Sequence, residues 1–443
     1  MIVAPLNTFD TWRDHYSMQA PDVDVVTINR KNRDRFVDEI RRKRGDVFLC
    51  HWDGMRLLPE LRRFEFGTII GDEVHRIVDR KSITTRSMLK LRADHKLGMS
   101  GTAAGDQPHQ LWSILNWLYP TYFRSYWKFR KRHCIEEVQY SKGSPNGYTK
   151  ITGVQHIDEL MELIGPWYVR HLKREQCCKH HPDGVMPWLP DKTYSTIWVD
   201  LNTKQRRFYE QMRREMVAWV NEHEDTPLVA NIVISQLVRL SQMALATPEI
   251  VGTKWVWRNR KNKETGEIEK VQVEVDDVRL SEPSSKLDAA LELFKDHPNK
   301  QFVVFSSSKQ MVNLAQAKFA KRGISSFVLS GDTPQHQRDG MVKRFVNGDT
   351  QVFIGVIDAA GEGIDGLQHA TDTAVFLDRS WKTIKNKQAE DRLHRGGQKD
   401  TVQIIDIMAR DTVDLGRKQR LEEKWSWIRS MLGDGFQVQE LKE

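Results

Sequence analysis

Residues 388–398 read Gln-Ala-Glu-Asp-Arg-Leu-His-Arg-Gly-Gly-Gln. The pattern predicts a helix that begins near residue 383 and is stopped by the two glycines. On that helix Gln388, Arg392 and Arg395 stand at positions i, i+4 and i+7, so one face carries an amide and two guanidiniums. A guanidinium is planar and permanently charged, and it binds phosphoryl oxygens bidentately. This face therefore suits a triphosphate. The alternative interpretation is a solvated, charged helix surface.

Composition bounds the class of protein. The chain has 443 residues, a formal net charge of +8 and a pI near 9.1, which permits a polyanionic partner without proving one. Its length allows two or three domains with their own cores. The sequence contains no run of about 18 apolar residues and no N-terminal signal pattern, so we expect a cytosolic protein without membrane contact. Four cysteines outside any disulfide framework favour a reducing compartment.

Two local clusters leave alternatives open. Residues 122–132 interleave arginines and lysines with aromatic residues. This mixture fits a surface that follows phosphates, or else a solubilising helix face above core aromatics. The second cluster offers potential zinc ligands, although adjacent pairs suit a tetrahedral site poorly and a plain polar loop is favoured. Its members are Cys177, Cys178, His180 and His181.

With these features in view, residues 388–398 resemble the last motif of the Swi/Snf-like DNA translocases of helicase superfamily 2. The resemblance extends over nearly the whole chain. It implies two RecA-like lobes, ATP and Mg²⁺ as cofactors, duplex DNA as partner, and ATP hydrolysis coupled to movement along the duplex. It also implies catalytic roles for Arg392 and Arg395 and nucleotide binding by Gln388. The compact set of motifs suggests a bacterial or phage source.

An acidic pair follows a strand-like segment in the first half of the chain. The apolar run 66–70 is followed by Gly-Asp-Glu-Val-His at 71–75, which predicts a buried parallel strand with two carboxylates at its carboxyl end. By resemblance to the DEAH-type motif, Asp72 holds Mg²⁺ and Glu73 activates the attacking water. For so short a match alone, an ordinary surface strand end is the alternative.

The second half alternates strands and helices. We predict strands near 301–306, 326–329, 351–357, 373–377 and 402–407. The alternation implies right-handed βαβ units and a mostly parallel sheet covered on both faces. After the third of these strands, Gly361 and Gly363 allow close backbone approach to a phosphate or sugar, and Asp365 can accept from a ribose hydroxyl. Swi/Snf-like members commonly carry Asn where Asp365 stands.

Several loops match family motifs that touch nucleic acid. The turn after the first strand and the segment 97–103 are two of them, and the ends of the first two strands of the second half are others. The resemblance therefore implies contacts between the DNA and Pro5, Thr8, Trp52, Thr102, Ser306, Lys309 and Thr333.

One family element is missing. The sequence contains no Gly-x-x-x-x-Gly-Lys-Ser/Thr, hence no P-loop lysine for the β and γ phosphates. We expect this segment upstream of Met1, and we expect its strand to belong inside the first sheet, so that its absence leaves two neighbouring strands unpaired. Three explanations compete: a split gene completed in trans by a P-loop-bearing polypeptide, an incomplete reading frame, or loss of ATPase activity.

The predicted protein is thus α/β, with two RecA-like parallel-sheet lobes and helical insertions, the first lobe missing its P-loop strand. We predict a first lobe over 1–198, a helical insertion with a β-hairpin over 199–282, and a second lobe over 283–443. The hairpin, near 254–275, has no assigned function. The predicted function is an ATP-dependent DNA translocase. The alternative is a non-catalytic nucleic-acid-binding remnant of such an ATPase.

Overall fold

The computed structural model describes residues 1–28, 33–42, 45–101, 105–141, 144–175, 181–222, 229–261, 268–360 and 364–432. Within these ranges, a five-stranded and a six-stranded sheet form two lobes, and two antiparallel hairpins project from them. Every strand pair in the two large sheets is parallel. The predicted fold class, two parallel-sheet lobes with insertions, is confirmed.

The first lobe surrounds a short buried strand at the start of the chain. Its strands are β1 (Ile2–Ala4), β2 (Val25–Thr27), β3 (Val47–His51), β4 (Glu65–Asp72) and β5 (Arg92–Met99). Its helices are α1 (Phe9–Gln19), α2 (Arg33–Arg41), α3 (Trp52–Leu57) and α4 (Ile83–Met88). The order across the sheet is β2-β3-β1-β4-β5. All three residues of β1 are buried, as expected for a central parallel strand.

This sheet has no internal gap, which differs from the expectation for a missing P-loop strand. Ile2 of β1 lies opposite Leu49 on one side and Ile70 on the other, so β1 is paired along both edges. Among the described strands of this sheet, β2 and β5 each have one open side, and β5 is the one beside the acidic strand β4. It pairs with β4, Leu97 opposite Ile70, and no other described strand pairs with it. Leu97 is 50% exposed at this edge.

The sequence from about 121 to 190 predicts a helical, basic segment, and part of it is not helical. Its elements are α5 (Leu111–Leu118), α6 (Tyr126–His133), β6 (Cys134–Ser141), β7 (Ser144–Val154) and α7 (Ile157–Ile164). β6 and β7 form an antiparallel hairpin with Cys134 opposite Val154. The β-branched Ile135 and Val138 favour a strand here. The helical prediction is wrong for β6 and β7, whereas α6 and α7 are helices.

The second lobe begins earlier in the chain than predicted. Its first elements are β8 (Lys192–Val199), α8 (Thr203–Glu222), α9 (Val229–Leu245), β9 (Thr247–Lys261) and β10 (Ile268–Ser281). β9 and β10 form the predicted hairpin. β8 pairs with the last strand of the second sheet, Lys192 opposite Val402, although residues up to 198 were assigned to the first lobe. A lobe boundary before β8 fits this pairing better, and the domain division remains a proposal.

All five strands predicted for the second half are present. The remaining elements are α10 (Ser285–Asp296), β11 (Phe302–Ser306), α11 (Lys309–Lys321), β12 (Ser326–Leu329), α12 (Gln335–Val346), β13 (Val352–Val356), α13 (Ile357–Ala360), β14 (Thr373–Phe376), α14 (Thr383–Glu390), β15 (Val402–Ala409) and α15 (Val413–Met431). The sheet order is β12-β13-β11-β14-β15-β8. A separate apolar core covers each face of this sheet. Among the described helices, none is long and apolar enough to span a membrane.

Candidate functional site

The first wall of the site is the carboxyl end of β4, where Asp72 and Glu73 leave the sheet. Glu73 has a φ of 55°, a left-handed conformation that non-glycine residues rarely adopt. Such strain costs about 1–3 kcal/mol and is concentrated at functional sites. Glu73 Oε2 lies 3.0 Å from His75 Nδ1, which lies 3.0 Å from Ser100 Oγ beyond β5. The carboxylate is therefore linked to the ends of two neighbouring strands.

Asp72 is fixed by three side chains. Its Oδ2 accepts a hydrogen bond from Trp12 Nε1 at 3.1 Å and lies 3.3 Å from Thr8 Oγ1, and its main-chain carbonyl accepts from Trp52 Nε1 at 2.9 Å. Oδ1 accepts no hydrogen bond from a described residue. One free carboxylate oxygen suits Mg²⁺, which keeps several waters and binds through one or two carboxylates and substrate phosphates. No described cluster of three or more His, Cys, Asp or Glu side chains would hold a metal unaided.

The second wall is formed by residues 388–398. α14 ends at Glu390 and residues 391–395 continue in turns, so the helix is shorter than predicted. The tightening is visible where the N–H of Arg392 donates to the carbonyl of Ala389, three residues back, at 3.2 Å. A helix that ends early no longer keeps the three predicted side chains on one regular face. Their proximity depends on the turn geometry instead.

The turns nevertheless bring these side chains together across the two lobes. Gln388 Nε2 on the second lobe lies 3.5 Å from Glu73 Oε1 on the first. Arg395 NH1 lies 3.2 Å from Asp365 Oδ1. The structure therefore gathers four predicted site residues in one cleft. Gly361 and Gly363 lie outside the described residues.

The electrostatics of the second wall favour an anion. Arg392 NH1 donates to the main-chain carbonyl of Ile364 at 2.7 Å. Burial lowers the pKa of the Arg392 guanidinium, and the charge of Arg395 lowers it further, against the opposing effect of Asp391 and Asp365. Adjacent guanidiniums disfavour each other's charge, and a polyphosphate between them would remove that penalty. A cavity of about 730 Å³, lined by Asp365 and Arg395 among others, adjoins them.

A buried charge network missed by the sequence analysis anchors α14. Glu390 accepts from Lys192 at 2.9 Å, from Tyr194 at 2.8 Å and from Arg379 at 2.7 Å, and Arg379 also donates to Asp406 at 2.6 Å. Burial alone raises the pKa of Glu390, but Arg379 and Lys192 outweigh it and lower the pKa to about 2. The available sequence signal was Asp406, a lone acid inside an apolar strand. These contacts tie α14 to the second sheet.

A second groove between the lobes collects the loops predicted to contact DNA. It has a volume of about 270 Å³, and Asn7, His51 and Arg76 line it from the first lobe, with Gly331 and Arg338 from the second. Arg338 Nε donates to the carbonyl of Thr333 at 3.1 Å, which holds its loop in place. Loops from both lobes therefore present polar and basic groups to one opening.

The predicted DNA contacts differ in how accessible they are. Lys309 is exposed and pairs with Asp332. Thr333 Oγ1 accepts from the N–H of Ser330 at 3.1 Å, and Thr8 is partly exposed. These three side chains lie where a nucleic-acid surface can reach them. Thr102 lies outside the described residues.

Three other predicted contacts are buried. Trp52 is 1% exposed and Ser306 is 0% exposed, and Pro5 is buried as well. The Ser306 hydroxyl donates to Asp378 Oδ1 at 2.6 Å, as the Trp52 indole donates to the end of β4. Trp52 and Ser306 therefore support strand ends, and burial of all three side chains argues against their predicted direct contacts with DNA. Sequence position placed them near the groove but could not show which way they face.

Two parallel-sheet lobes, one offering an acidic strand end and the other an amide with two arginines, define a two-lobed helicase-type core. The chain belongs to the SNF2-related family. The family model described as the SNF2-related domain matches residues 1–246, and the helicase conserved C-terminal domain matches residues 285–397. The predicted resemblance is confirmed.

Known proteins similar to this chain occur in plants and bacteria. The ISWI chromatin-remodeling complex ATPase CHR17 of Arabidopsis thaliana is 22% identical over 429 residues, which cover 96% of this chain and 36% of that protein. An ATP-dependent helicase of Mycoplasma pneumoniae is 22% identical over 421 residues, 94% of this chain and 35% of that protein. The chain thus spans little more than a third of either relative. The solved SWI2/SNF2 ATPase core of Sulfolobus solfataricus in complex with dsDNA is 18% identical, with a TM-score of 0.40, over 97% of this chain and 85% of that one.

Proposed function

We propose that the chain is the motor core of an ATP-dependent translocase that moves on duplex DNA. The observation that carries the proposal is the 3.5 Å approach of Gln388 Nε2 to Glu73 Oε1 across the cleft. A base on one lobe and arginines on the other suit phosphoryl transfer, because closure of the lobes assembles the site around the nucleotide. Opening after hydrolysis would then shift one lobe along the DNA relative to the other.

Each wall has a chemical role in this proposal. Glu73 accepts the proton of the attacking water, and Asp72 offers its free oxygen to Mg²⁺, which would neutralise phosphate charge when bound. Arg392 and Arg395 stabilise the charge that develops on the transferred phosphoryl group. The nucleotide itself is held by Gly361, Gly363, Asp365 and Gln388.

The phosphate-binding loop is supplied from outside the printed sequence. A strand added in parallel beside β5 would complete its hydrogen bonding, in the manner of strand addition to an exposed sheet edge. Its carboxyl end would emerge next to those of β4 and β5, beside Asp72 and Ser100, which is where a P-loop is needed. The strand belongs either to a longer form of this polypeptide or to a P-loop-bearing polypeptide acting in trans.

Duplex DNA is the proposed track. Arg76 and Arg338 line the inter-lobe groove from opposite lobes, and Lys309 adds an exposed cation on the second lobe. Arginine and lysine contacts to phosphates bind DNA without regard to sequence, which a translocase requires. The net charge of +8 is compatible with this role.

The test is ATP hydrolysis by the full chain, alone and with a polypeptide that supplies the P-loop strand, each with and without duplex DNA. The completed protein should hydrolyse ATP, and Glu73→Gln should lower kcat by at least about 100-fold. Glu292→Gln, an exposed glutamate on α10, is the matched control and should leave kcat unchanged. Turnover by the chain alone would contradict the account of phosphate binding.

The non-catalytic alternative makes a different prediction. A nucleic-acid-binding remnant would bind duplex with a steep salt dependence, show no nucleotide effect, and be indifferent to Glu73→Gln. The DNA just upstream of the coding sequence also discriminates the two: Gly-Lys-Thr encoded there in any frame supports a split or longer ATPase, and its absence favours the binding protein.

A further inference from the structure

The first lobe carries a third cavity, separate from the nucleotide cleft and the inter-lobe groove. Its volume is about 330 Å³, within the range of small-ligand sites. Its lining includes three cations, Arg80, Lys81 and Arg130, and one carboxylate, Asp79, together with His109 and Trp127. None of them has a role in the proposed hydrolysis, and the wall combines cations with an aromatic ring.

Arg80 presents its charge to this cavity, where the cations outnumber the one carboxylate, Asp79. Its guanidinium carbon lies 4.2 Å from the centre of the Tyr126 ring and 5.7 Å from that of Trp127. Stacking uses the flat face of the guanidinium and leaves its in-plane N–H donors for a ligand. In the described part of the chain, neither Arg80 nor Lys81 forms an ion pair with a carboxylate, whereas Arg130 pairs with Glu136.

A buried histidine adds an unused polar atom. Nδ1 of His109 is buried and has no hydrogen-bond partner among the described residues. Burial, then the charges of Arg130 and Arg80, lower the pKa of His109 to about 4, so the ring is neutral at pH 7. Buried polar atoms are normally hydrogen-bonded. His109 lines the cavity, so a bound ligand that reached this buried atom would supply the missing partner.

Trp127 provides an open aromatic surface beside these cations. It is 64% exposed, whereas Phe123 and Phe129 of the same segment are 5% and 4% exposed. The basic and aromatic cluster found in the sequence therefore divides into core residues, such as Phe123 and Phe129, and exposed aromatics, Tyr122 and Trp127, of which Trp127 lines the cavity. Aromatic side chains flanked by cations are the platforms on which unpaired bases stack.

We propose that this cavity binds one nucleotide unit of a nucleic-acid strand, with its phosphate on Arg80 and Lys81 and its base on Trp127. The inference rests on the proposed DNA-binding function and adds a second contact to it. Arg80 is four residues from Arg76, which lines the inter-lobe groove, so the chain alone limits their separation to about 14 Å. A single strand that leaves the groove can therefore reach the cavity.

The test measures binding of the full chain to two fluorescent DNAs, a blunt duplex and the same duplex with a single-stranded oligothymidine tail. The tail should tighten binding by about tenfold, as expected for one stacked base. Trp127→Ala should abolish this gain. Arg80→Gln should reduce it and should also lower the slope of log K against log salt by about 0.7, the value for one phosphate of a single strand.

Matched controls exclude general effects. Trp188→Ala removes another tryptophan, 71% exposed and outside the cavity, and Arg86→Gln removes another exposed arginine of the same lobe. Both should keep the full gain from the tail. Because all four substituted side chains are exposed or partly exposed, folding should survive, and circular dichroism of each variant confirms it.

Three results would overturn the inference. One is a tail that gives no gain, and another is a gain that persists in Trp127→Ala. The third is that deoxythymidine monophosphate binds, as detected by a fluorescence change that depends on Trp127, while the single-stranded tail gives no gain in affinity. The cavity would then bind a free nucleotide and not a strand. Normal binding of the blunt duplex with a failed tail refutes only this inference. A chain that binds neither DNA refutes the proposed function together with it.

Discussion

Replacing Glu390 by glutamine tests whether the buried charge network holds the arginine-bearing wall of the cleft. Glu390 lies two residues from Gln388 and from Arg392, and its side chain is only 7% exposed. The substitution keeps the shape of the side chain but removes the charge that pairs with Lys192 and Arg379. Arg379 retains Asp406, while Lys192, whose side chain is 10% exposed, loses its closest carboxylate.

The size of the effect follows from the pKa of Glu390. The protein lowers it from the usual 4.5 to about 2. At about 1.36 kcal/mol for each pKa unit, that difference corresponds to roughly 3 kcal/mol of folding free energy. Because the folded-state pKa lies below the unfolded value, the contribution is complete above pH 4.5 and is lost as the pH falls from 4.5 towards 2. The cost of breaking a buried pair, about 3–5 kcal/mol, is of the same order.

Hydrogen exchange followed by mass spectrometry is the appropriate assay, because it reads the opening free energy of β14 and β15 without requiring both lobes to unfold together. At pH 7, Glu390→Gln should lower that free energy by about 3 kcal/mol. Asp349→Asn is the control. It removes an exposed partner of Arg344 on the same lobe, 2.8 Å away, and should cost less than about 1 kcal/mol.

The pH dependence decides between this reasoning and a merely steric effect. The difference between wild type and Glu390→Gln should shrink as the pH falls from 4.5 towards 2, because unfolding of the wild type is then favoured by proton uptake at Glu390, whose unfolded-state pKa is the higher one. A cost at pH 7 as small as that of Asp349→Asn would refute the proposed stabilisation. A cost that stays constant down to the lowest accessible pH would show that packing, not charge, is responsible.

Two further predictions concern other parts of the fold. Gly397→Ala should lower the thermal unfolding temperature of the second lobe, because φ at Gly397 is 94° and an added Cβ would lie 2.5 Å from His369 Cε1. The control Gly331→Ala should leave that temperature unchanged, since no atom lies within 4 Å of its added Cβ. Equal melting curves for the two variants would contradict this prediction. Burial raises the pKa of both Cys50 and Cys134 to about 12, so iodoacetamide at pH 8 should label these thiols only after the protein unfolds. Mass spectrometry measures the labelling. Alkylation of either cysteine in the native protein would show that its thiol is not buried.

Much of the second lobe was predictable because parallel strands buried on both faces appear as short apolar runs between helices. The strand predicted at 301–306 is β11, Phe302–Ser306, and that predicted at 402–407 lies within β15. The acidic pair Asp72–Glu73 and the arginines Arg392 and Arg395 were likewise identified, because the segments that contain them match motifs of the family. The 3.5 Å contact between Gln388 and Glu73 shows that these two parts meet.

Pairing partners and side-chain direction were not predictable. β8 reads as an ordinary short strand, and nothing in its residues shows that its partner is β15, some 200 positions later in the chain, as Lys192 opposite Val402 reveals. Trp52 and Ser306 stand in motifs associated with DNA, yet both side chains point into the protein. A local sequence pattern fixes the element, whereas burial depends on what the rest of the chain packs against it.

The two ends of α14 together explain how the cleft can transmit movement. At its start, the N–H of Thr383 donates to Asp106 Oδ1 of the first lobe at 3.0 Å, a favourable place for a carboxylate beside a helix N-terminus. Near its end, Gln388 approaches Glu73 of the same lobe. At its last residue, Glu390 fastens the helix to the second sheet. Since α14 is held on its own lobe and contacts the other at two points, the lobe opening in the proposed mechanism would break both contacts together. The same opening would widen or narrow the groove lined by Arg76 and Arg338, because those arginines belong to different lobes.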